Sequence, residues 1–400
     1  MRRRLAIRLR TWLVRLGFLL GRLRPIRDEV VLASARTNRL GGNLAYIRDE
    51  LERRDPPVPY RVVAVRTRAG MAGRIDGLTH AIRAGYRLAV SRLFVVDDYY
   101  FPMYVIRPRA GTFRVQTWHA SGAFKKIGWS VLDKTFGADP DLVARVRIHS
   151  NYDLCLMPSE GATEHYMDAF RQPRERFTTA IGLPRTDLLF DPGHRDRASA
   201  AIRARYRLPA GKRVLLYAPT FRGDTVLSAR YDDDLDLGVM HAALAGEWVV
   251  LMRLHPFVRK PAAITPELAG FAVDASDWPD INELMFVADL LVTDYSSAIY
   301  EFSLLGRPMA FFAPDYESYE RERGFYFDYR TGVPGPIFET TEALAAYVRA
   351  GSFDEKASEA FADASFRVAD GHASARFVDR VVLPALAGAP IDPEGAHAAG

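Results

Sequence analysis

Short β-branched runs alternate with longer amphipathic stretches along most of the chain, which predicts α/β domains built on parallel sheets. In the first half, strands are predicted at Glu29–Ala33, Arg61–Val65, Arg92–Val96, Thr112–Gln116, Asp153–Met157 and Thr178–Ile181. Helices are predicted at Asn43–Arg54, Ile75–Val90, Pro140–His149 and Glu160–Arg171. The polar stretch Asp191–Arg197, with its Pro192-Gly193 pair, reads as a linker. The rhythm then restarts. A helix at Ala198–Arg207 leads into strands Arg213–Ala218 and Trp248–Leu254, followed by helix Ile281–Val287, strand Leu290–Val292, helix Ser297–Leu305 and strand Pro308–Phe312. The helical stretch Ala373–Leu386 is placed to cross back. The pattern therefore predicts two Rossmann-like domains facing a cleft, at 28–190 and 191–372, with 373–400 as crossover helix and tail. In such folds ligands bind beyond the C-terminal ends of the strands.

The first 27 residues follow a different pattern. Leu5, Leu9, Trp12, Leu13, Leu16, Leu19, Leu20 and Leu23 recur at helical spacing on one face. Ile7, Val14 and Phe18 form a thinner apolar stripe among the arginines. A transmembrane span is disfavoured, because Arg8, Arg10 and Arg15 interrupt every apolar run well short of about 18 residues. A signal peptide is disfavoured too, since Arg22, Arg24 and Arg27 stand where small residues should precede cleavage. An in-plane membrane-association helix over residues 1–27, lying on anionic inner-leaflet lipid, explains the arginines best; the alternative is a helix packed on the protein's own body.

Charge sharpens this. The chain has 400 residues and a net charge of +5, yet residues 1–24 hold eight arginines and no acid. Removing those eight from the 54 Lys and Arg leaves 46 against 49 Asp and Glu. The basicity is a local tail, not a nucleic-acid-binding surface. The single cysteine, Cys155, excludes an internal disulfide and in its apolar DLCLM run reads as a buried inert thiol.

Four constellations carry candidate chemistry. In VTDYSSAIYEF, a strand runs into Asp294, Ser296 and Ser297 before a helix carrying Glu301; Asp294 or Ser296 is expected to cap it, leaving an anion site. In LMRLHPF, a strand delivers Arg253 and His255 to its end, where Pro256 stops pairing. In YAPTFRGD (217–224), Thr220, Arg222 and Gly223 share a strand-end loop suited to a polyphosphate. In QTWHASGAFKKIG (116–128), His119 lies beside Trp118 and the small residues Ala120, Ser121 and Gly122. Small neighbours leave room for a base to reach a substrate hydroxyl. Lys125 and Lys126 either hold an anionic acceptor or solvate a helix face. The acidic pair Asp97-Asp98 and the run Asp232-Asp233-Asp234 are candidates for a metal site, but no third ligand for the pair is evident, and the run reads as loop charge before a helix. No cofactor or metal is expected, and the oligomeric state is not legible.

These pieces, with IGLPRTDLLF (181–190) and the long run Asp280–Tyr329, resemble the CDP-glycerol:poly(glycerophosphate) glycerophosphotransferases of teichoic acid synthesis. The resemblance covers about residues 29–350. It implies a GT-B architecture with CDP-glycerol held mainly by the C-terminal domain. It also implies His119 as base and His255 against the donor diphosphate. Thr220, Arg222, Arg253, Ser296 and Ser297 would line that diphosphate, with Glu301 or Asp294 toward the cytidine or glycerol. Many members read Gly-Thr-Pro after the histidine where this chain has Ala-Ser-Gly, which leaves the acceptor open.

The implied reaction is attack by an acceptor hydroxyl, deprotonated by His119, on the glycerol-bearing phosphorus, with CMP leaving. The acceptor would be an undecaprenyl-linked wall or capsule polymer at the cytoplasmic face of the membrane. The rivals are a CDP-ribitol transferase or nucleotide-sugar glycosyltransferase of the same fold, and a noncatalytic membrane-docked polymer-binding protein. A primase, a polymerase and a capsule enzyme are not distinguished.

Overall fold

A computed structural model of the chain describes residues 2–35, 40–64, 70–132, 134, 139–223, 228–232 and 234–395. Val65, Asp224 and Asp233, named in the predicted strand, loop and acidic run, lie outside them.

Two six-stranded sheets organise the molecule. The first contains β1 (Arg27–Ser34), β2 (Tyr60–Ala64), β3 (Ser91–Val96), β4 (Phe113–Gln116), β5 (Leu154–Leu156) and β6 (Phe177–Thr178), in the order β2-β1-β3-β4-β5-β6. The second contains β7 (Arg213–Tyr217), β8 (Trp248–Met252), β9 (Ala272–Asp274), β10 (Leu290–Thr293), β11 (Met309–Phe312) and β12 (Ile337–Phe338), in the order β12-β11-β10-β7-β8-β9. The recorded pairs are all parallel. Central strands such as LFVV and VVLM are buried throughout, which is why they read as continuous apolar runs rather than alternating ones. In each sheet the order reverses once, between β1 and β3 and between β7 and β10. A crevice opens at the strand ends beside such reversals.

Three predicted elements differ. The expected linker is the start of a helix, Pro192–Arg205. Pro192 takes the first turn, where its missing N–H costs nothing, and Asp191 caps it by accepting from His194 N at 2.9 Å. The expected helix Pro140–His149 stops at Val143. His149 and Asn151 take left-handed backbone, and Asn151 Nδ2 donates to the Met103 and Ile106 carbonyls at 2.8 and 3.0 Å. The strand expected at Thr178–Ile181 pairs only over Phe177–Thr178.

The N-terminal helix, Arg2–Arg22, packs on helix Gly70–Val90. The contact face is the thinner stripe: Val14 and Phe18 are buried and Ile7 partly so. Glycines bring the backbones together, since a Cβ on Gly17 would lie 2.1 Å from the Ile82 carbonyl O and one on Gly85 2.0 Å from the Val14 carbonyl O. Leu5, Leu9, Trp12, Leu19, Leu20 and Leu23 stay exposed. Arg15 Nε donates to the Val105 carbonyl O at 2.9 Å and Arg10 lies 4.3 Å over Phe101, so part of the arginine set is spent on the protein itself. No helix among the described residues is long and apolar enough to cross a membrane.

Segments 120–126 and 324–326 join the two sheets. Lys125 and Phe325 form an antiparallel bridge, flanked by Lys126 N to the Gly324 O and Tyr326 N to the Phe124 O, both 3.1 Å. The C-terminal helical stretch, Ala373–Ala387, returns to pack against helix Gly42–Arg53 and strands β1 and β3.

Candidate active site

β4 ends at Gln116, and the chain turns sharply into His119. Trp118 is buried with φ of 54°, a left-handed conformation that costs a bulky residue about 1–3 kcal/mol and persists only when surrounding contacts impose it. Its indole packs 4.4 Å from the His119 ring and 5.3 Å from Phe170. The turn leaves His119 half-buried, with Nδ1 3.4 Å from Asp98 Oδ1. Asp98 follows β3, the neighbour of β4, so adjacent strand ends bring acid and imidazole together. Asp98 Oδ1 is itself held by Tyr99 N at 2.7 Å. A carboxylate facing Nδ1 orients the imidazole ring. In the sequence Asp97-Asp98 reads only as a candidate metal pair, because the strand order that sets Asp98 beside His119 has no local signal. Among the described residues no cluster of three His, Cys, Asp or Glu is arranged to hold a metal ion.

The small residues after His119 meet the other sheet's layer rather than an open approach. Ser121 is buried and donates to Glu301 Oε1 at 2.8 Å. Gly122 lies against Tyr300, whose ring would be 2.2 Å from any Cβ there. Ala120-Ser121-Gly122 is therefore small because Tyr300 and Glu301 pack onto it. Arg185, in the PRTD turn, completes the junction. Its Nε lies 2.9 Å from Glu301 Oε1, a guanidinium N–H donates to the His119 carbonyl O, and its backbone N–H donates to Asn43 Oδ1 at 2.9 Å. Burial opposes the Arg185 charge, but Glu301, Asp280, Tyr46 and Asp97 together outweigh it and the pKa moves up. In the sequence Arg185 is one residue of IGLPRTDLLF, with no local signal for this contact.

In the second sheet, Thr220 follows β7 and Asp294 follows β10, on either side of the order reversal. Asp294 Oδ1 accepts from Thr220 N at 2.8 Å and Oδ2 from Thr220 Oγ1 at 2.9 Å. Arg222 NH1 donates to Asp294 Oδ2 at 3.0 Å, while its Nε and NH2 grip Asp315 at 2.7 and 2.9 Å. Burial works against the Arg222 charge, and Asp294 and Asp315 reverse that, holding its pKa above the ordinary value. A shallow crevice opens here, lined by Tyr217, Thr220, Arg222, Tyr231, Asp232 and Asp294. Asp294 and Glu301 are both buried in protein contacts, as is Arg253, whose NH1 donates to the Leu254 and Ser276 carbonyls at 3.0 and 2.7 Å. Burial lowers the Arg253 pKa.

His255 is half-buried beyond β8, its ring 4.7 Å from Phe221 and 4.6 Å from Phe257, with Nδ1 accepting from Phe257 N at 3.2 Å. Phe221 sits between Thr220 and Arg222, so His255 borders the same loop. Ser296 Oγ accepts from Ala298 N at 3.2 Å, and Ser297 begins the six-residue helix Ala298–Ser303 without a side-chain cap. The expected capping by Asp294 does not occur, because both its oxygens are engaged with Thr220, Arg222 and Tyr295 N. Lys125 Nζ stands 5.2 Å over the Tyr319 ring, which Arg222 also covers at 5.0 Å. Lys125 thus reaches the Arg222 neighbourhood from the first sheet's side. Lys126 lies beside Gly324.

With the geometry in view, comparison with known proteins identifies its setting. Residues 18–383 match the CDP-glycerol:poly(glycerophosphate) glycerophosphotransferase family. The chain belongs to that family. It is 37% identical over 364 residues to a teichoic acid ribitol-phosphate primase of Bacillus spizizenii, covering 90% of this chain and 92% of that one. It is 36% identical over 267 residues to a teichoic acid poly(glycerol phosphate) polymerase of Bacillus subtilis, covering 65% of this chain and 34% of the relative. The solved wall teichoic acid polymerase TagF superposes with a TM-score of 0.76 at 23% identity over 96% of each chain, which establishes the shared fold. The two parallel sheets are those of this family member.

Proposed function

We propose that this glycerophosphotransferase-family chain moves an alditol phosphate from a CDP-alditol to a hydroxyl of a lipid-linked teichoic acid or capsule-type polymer, releasing CMP. The observation that carries this reading is the His119–Asp98 pair at one strand edge, with the Thr220–Arg222–Asp294 crevice at the switch point of the other sheet. The arrangement is read as GT-B, with the first lobe (28–190) presenting the acceptor and the second (191–372) holding the donor.

In this mechanism His119 Nε2 takes the proton of the acceptor hydroxyl as its oxygen attacks the alditol-bearing phosphorus. The bond to the CMP oxygen breaks, and CMP leaves with the electron pair. His255 and the backbone N–H groups at Ser296–Ser297 face the separating diphosphate charge. Asp294 and Asp315 hold Arg222 and Thr220 in place rather than contacting substrate. Lys125 and Lys126 meet the anionic acceptor.

For the donor, CDP-glycerol is supported by the family description and by a TagF structure obtained after a CDPG soak. CDP-ribitol is favoured by span: the relatives matching 88–94% of this chain are ribitol-phosphate enzymes, whereas the glycerol-phosphate relatives match 61–65% of it. Offering CDP-glycerol, CDP-ribitol and UDP-sugars separately decides. CMP release identifies alditol-phosphate transfer and its polyol; release of a nucleoside diphosphate would replace this reading with glycosyl transfer, and no release with a binding protein.

The exposed Leu5–Leu9–Trp12–Leu19–Leu23 stripe, rimmed by arginines, is read as an in-plane seat on anionic lipid at the cytoplasmic face of the membrane.

A further inference from the structure

Behind the Trp118 turn lies a buried amide that bonds the backbone of Asp98 and the backbone just before His119. Gln116 has no exposed surface. Its Oε1 accepts from Trp118 N at 2.8 Å, and its Nε2 donates to the Asp98 carbonyl O at 3.1 Å and to Tyr152 Oη at 2.9 Å. An acceptor faces an N–H and two donors face oxygens; flipped, the contacts with Trp118 N and the Asp98 carbonyl would each oppose like with like, and only the Tyr152 hydroxyl could adapt, so this orientation is the satisfied one. Tyr152 Oη is anchored in turn by His149 Nδ1 at 3.0 Å and Tyr104 Oη at 2.8 Å. From the other side, Asn43 Nδ2 donates to the Thr117 and Trp118 carbonyls at 3.0 and 2.8 Å. The left-handed Trp118 backbone is held between these two amides.

We infer that Gln116 is a positioning residue for the transfer reaction: one side chain fixes both the backbone that carries His119 and the backbone that carries Asp98, and so sets the geometry between them. It touches no substrate and acts only through that pair. The inference rests on His119 serving as the base. A carboxylate cannot replace the amide, because one of its oxygens would face the Asp98 carbonyl and a buried charge would be added beside Asp98. An apolar side chain keeps the volume but releases Trp118 N and the Asp98 carbonyl.

The test compares Gln116→Met, Gln116→Glu and Gln116→Asn with Val95→Ala, a core change on β3 that lowers stability without touching the pair. Turnover is followed as CMP release from the CDP-alditol that the enzyme accepts, across pH. Misplacing a base by about 1 Å costs roughly 10²-fold, so the Met and Glu variants should lose about 30- to 100-fold in kcat with donor KM within about threefold. Their acidic kcat limb should shift, while that of Val95→Ala stays in place. In an Asp98→Asn background, Gln116→Met should cost less than about threefold further, because both changes act through one pair. A folded Gln116→Met enzyme with kcat within about threefold of the parent, or a full additional loss in the Asp98→Asn background, overturns the inference. If the Met variant does not fold, Gln116→Asn decides alone, since its amide is too short to span both backbones; an unmoved acidic limb there overturns it. His119→Ala separates the two readings. Retained turnover in that variant removes the base assignment itself, whereas its loss alongside active Gln116 variants removes only the role given to Gln116.

Discussion

The Nδ1 atom of His119 lies 3.4 Å from Asp98 Oδ1, across the ends of two adjacent parallel strands. Asp98→Asn keeps the shape and removes the charge that orients and stabilises the imidazolium. General base catalysis contributes about 10²–10⁴-fold, so kcat should fall by about 10- to 100-fold for Asp98→Asn and further for His119→Ala. Donor affinity, measured by equilibrium titration of the CDP-alditol, should stay close to that of the parent. A donor affinity that collapses with kcat would place Asp98 in binding instead.

Arg185 and Glu301 form the ion pair at the junction of the two sheets' layers. Removing one partner of a buried pair strands the other charge and costs about 3–5 kcal/mol, discounted here toward the low end because the Arg185 side chain keeps 16% of its exposure. Glu301→Leu and Arg185→Met should each lower the urea midpoint clearly. The double variant should be more stable than the sum of the single losses implies. Strict additivity would mean the pair is not coupled.

Arg222 bridges Asp294 and Asp315 with a planar fork that lysine cannot reproduce. Arg222→Lys should loosen the Thr220 loop and raise donor KM by about tenfold, an effect of about 1.4 kcal/mol, with a smaller change in kcat. A KM that stays put while kcat drops would assign Arg222 to the chemical step.

His149 and His80 are buried and neutral, with burial pulling their pKa values down to about 3 and about 4. Both lie below the ordinary histidine value near 6.5, so the unfolded chain binds protons that the folded one refuses. Their neutral-state stability is complete above about pH 6.5 and is lost as pH falls toward 4, at up to about 1.4 kcal/mol per pH unit for each histidine. Chemical denaturation between pH 7 and 4.5 should show that slope. His149→Leu should remove about one proton's share of it, and an unchanged slope would count against this assignment.

The N-terminal helix should be probed by point changes rather than deletion, because deletion would uncover the seat of Val14 and Phe18. Leu9→Glu with Trp12→Glu alters two exposed positions, so thermal stability should stay within about 0.5 kcal/mol per site. Sedimentation with vesicles containing anionic lipid should drop strongly, while activity on a soluble acceptor analogue persists. Undiminished sedimentation would refute the lipid seat.

Much of the fold was legible because its signals are local. Apolar β-branched runs and helical periodicity act over a few residues, and they placed most strands and helices within a few positions. The errors came where local chemistry has two outcomes. Pro192-Gly193 reads as a break, yet proline at a capped first turn starts a helix. The Leu5–Leu9–Trp12 stripe is the stronger periodic signal, yet Ile7, Val14 and Phe18 make the contact, because Gly17 and Gly85, one on each helix, fix which sides can approach.

The family and the two α/β halves are legible in contiguous motifs, which also put His119, His255, Thr220 and Arg222 forward as candidates at strand ends. Their partners come from the packing. Asp98 meets His119 because β3 and β4 are neighbours in the sheet, and Thr220 meets Asp294 because the strand order reverses between β7 and β10. Arg185 and Ser121 meet Glu301 because the loops of one sheet pack on the first helix turn of the other. Such pairings span from about twenty to 180 residues of chain. Packing fixes them, and no local pattern encodes which distant carboxylate a given side chain will meet.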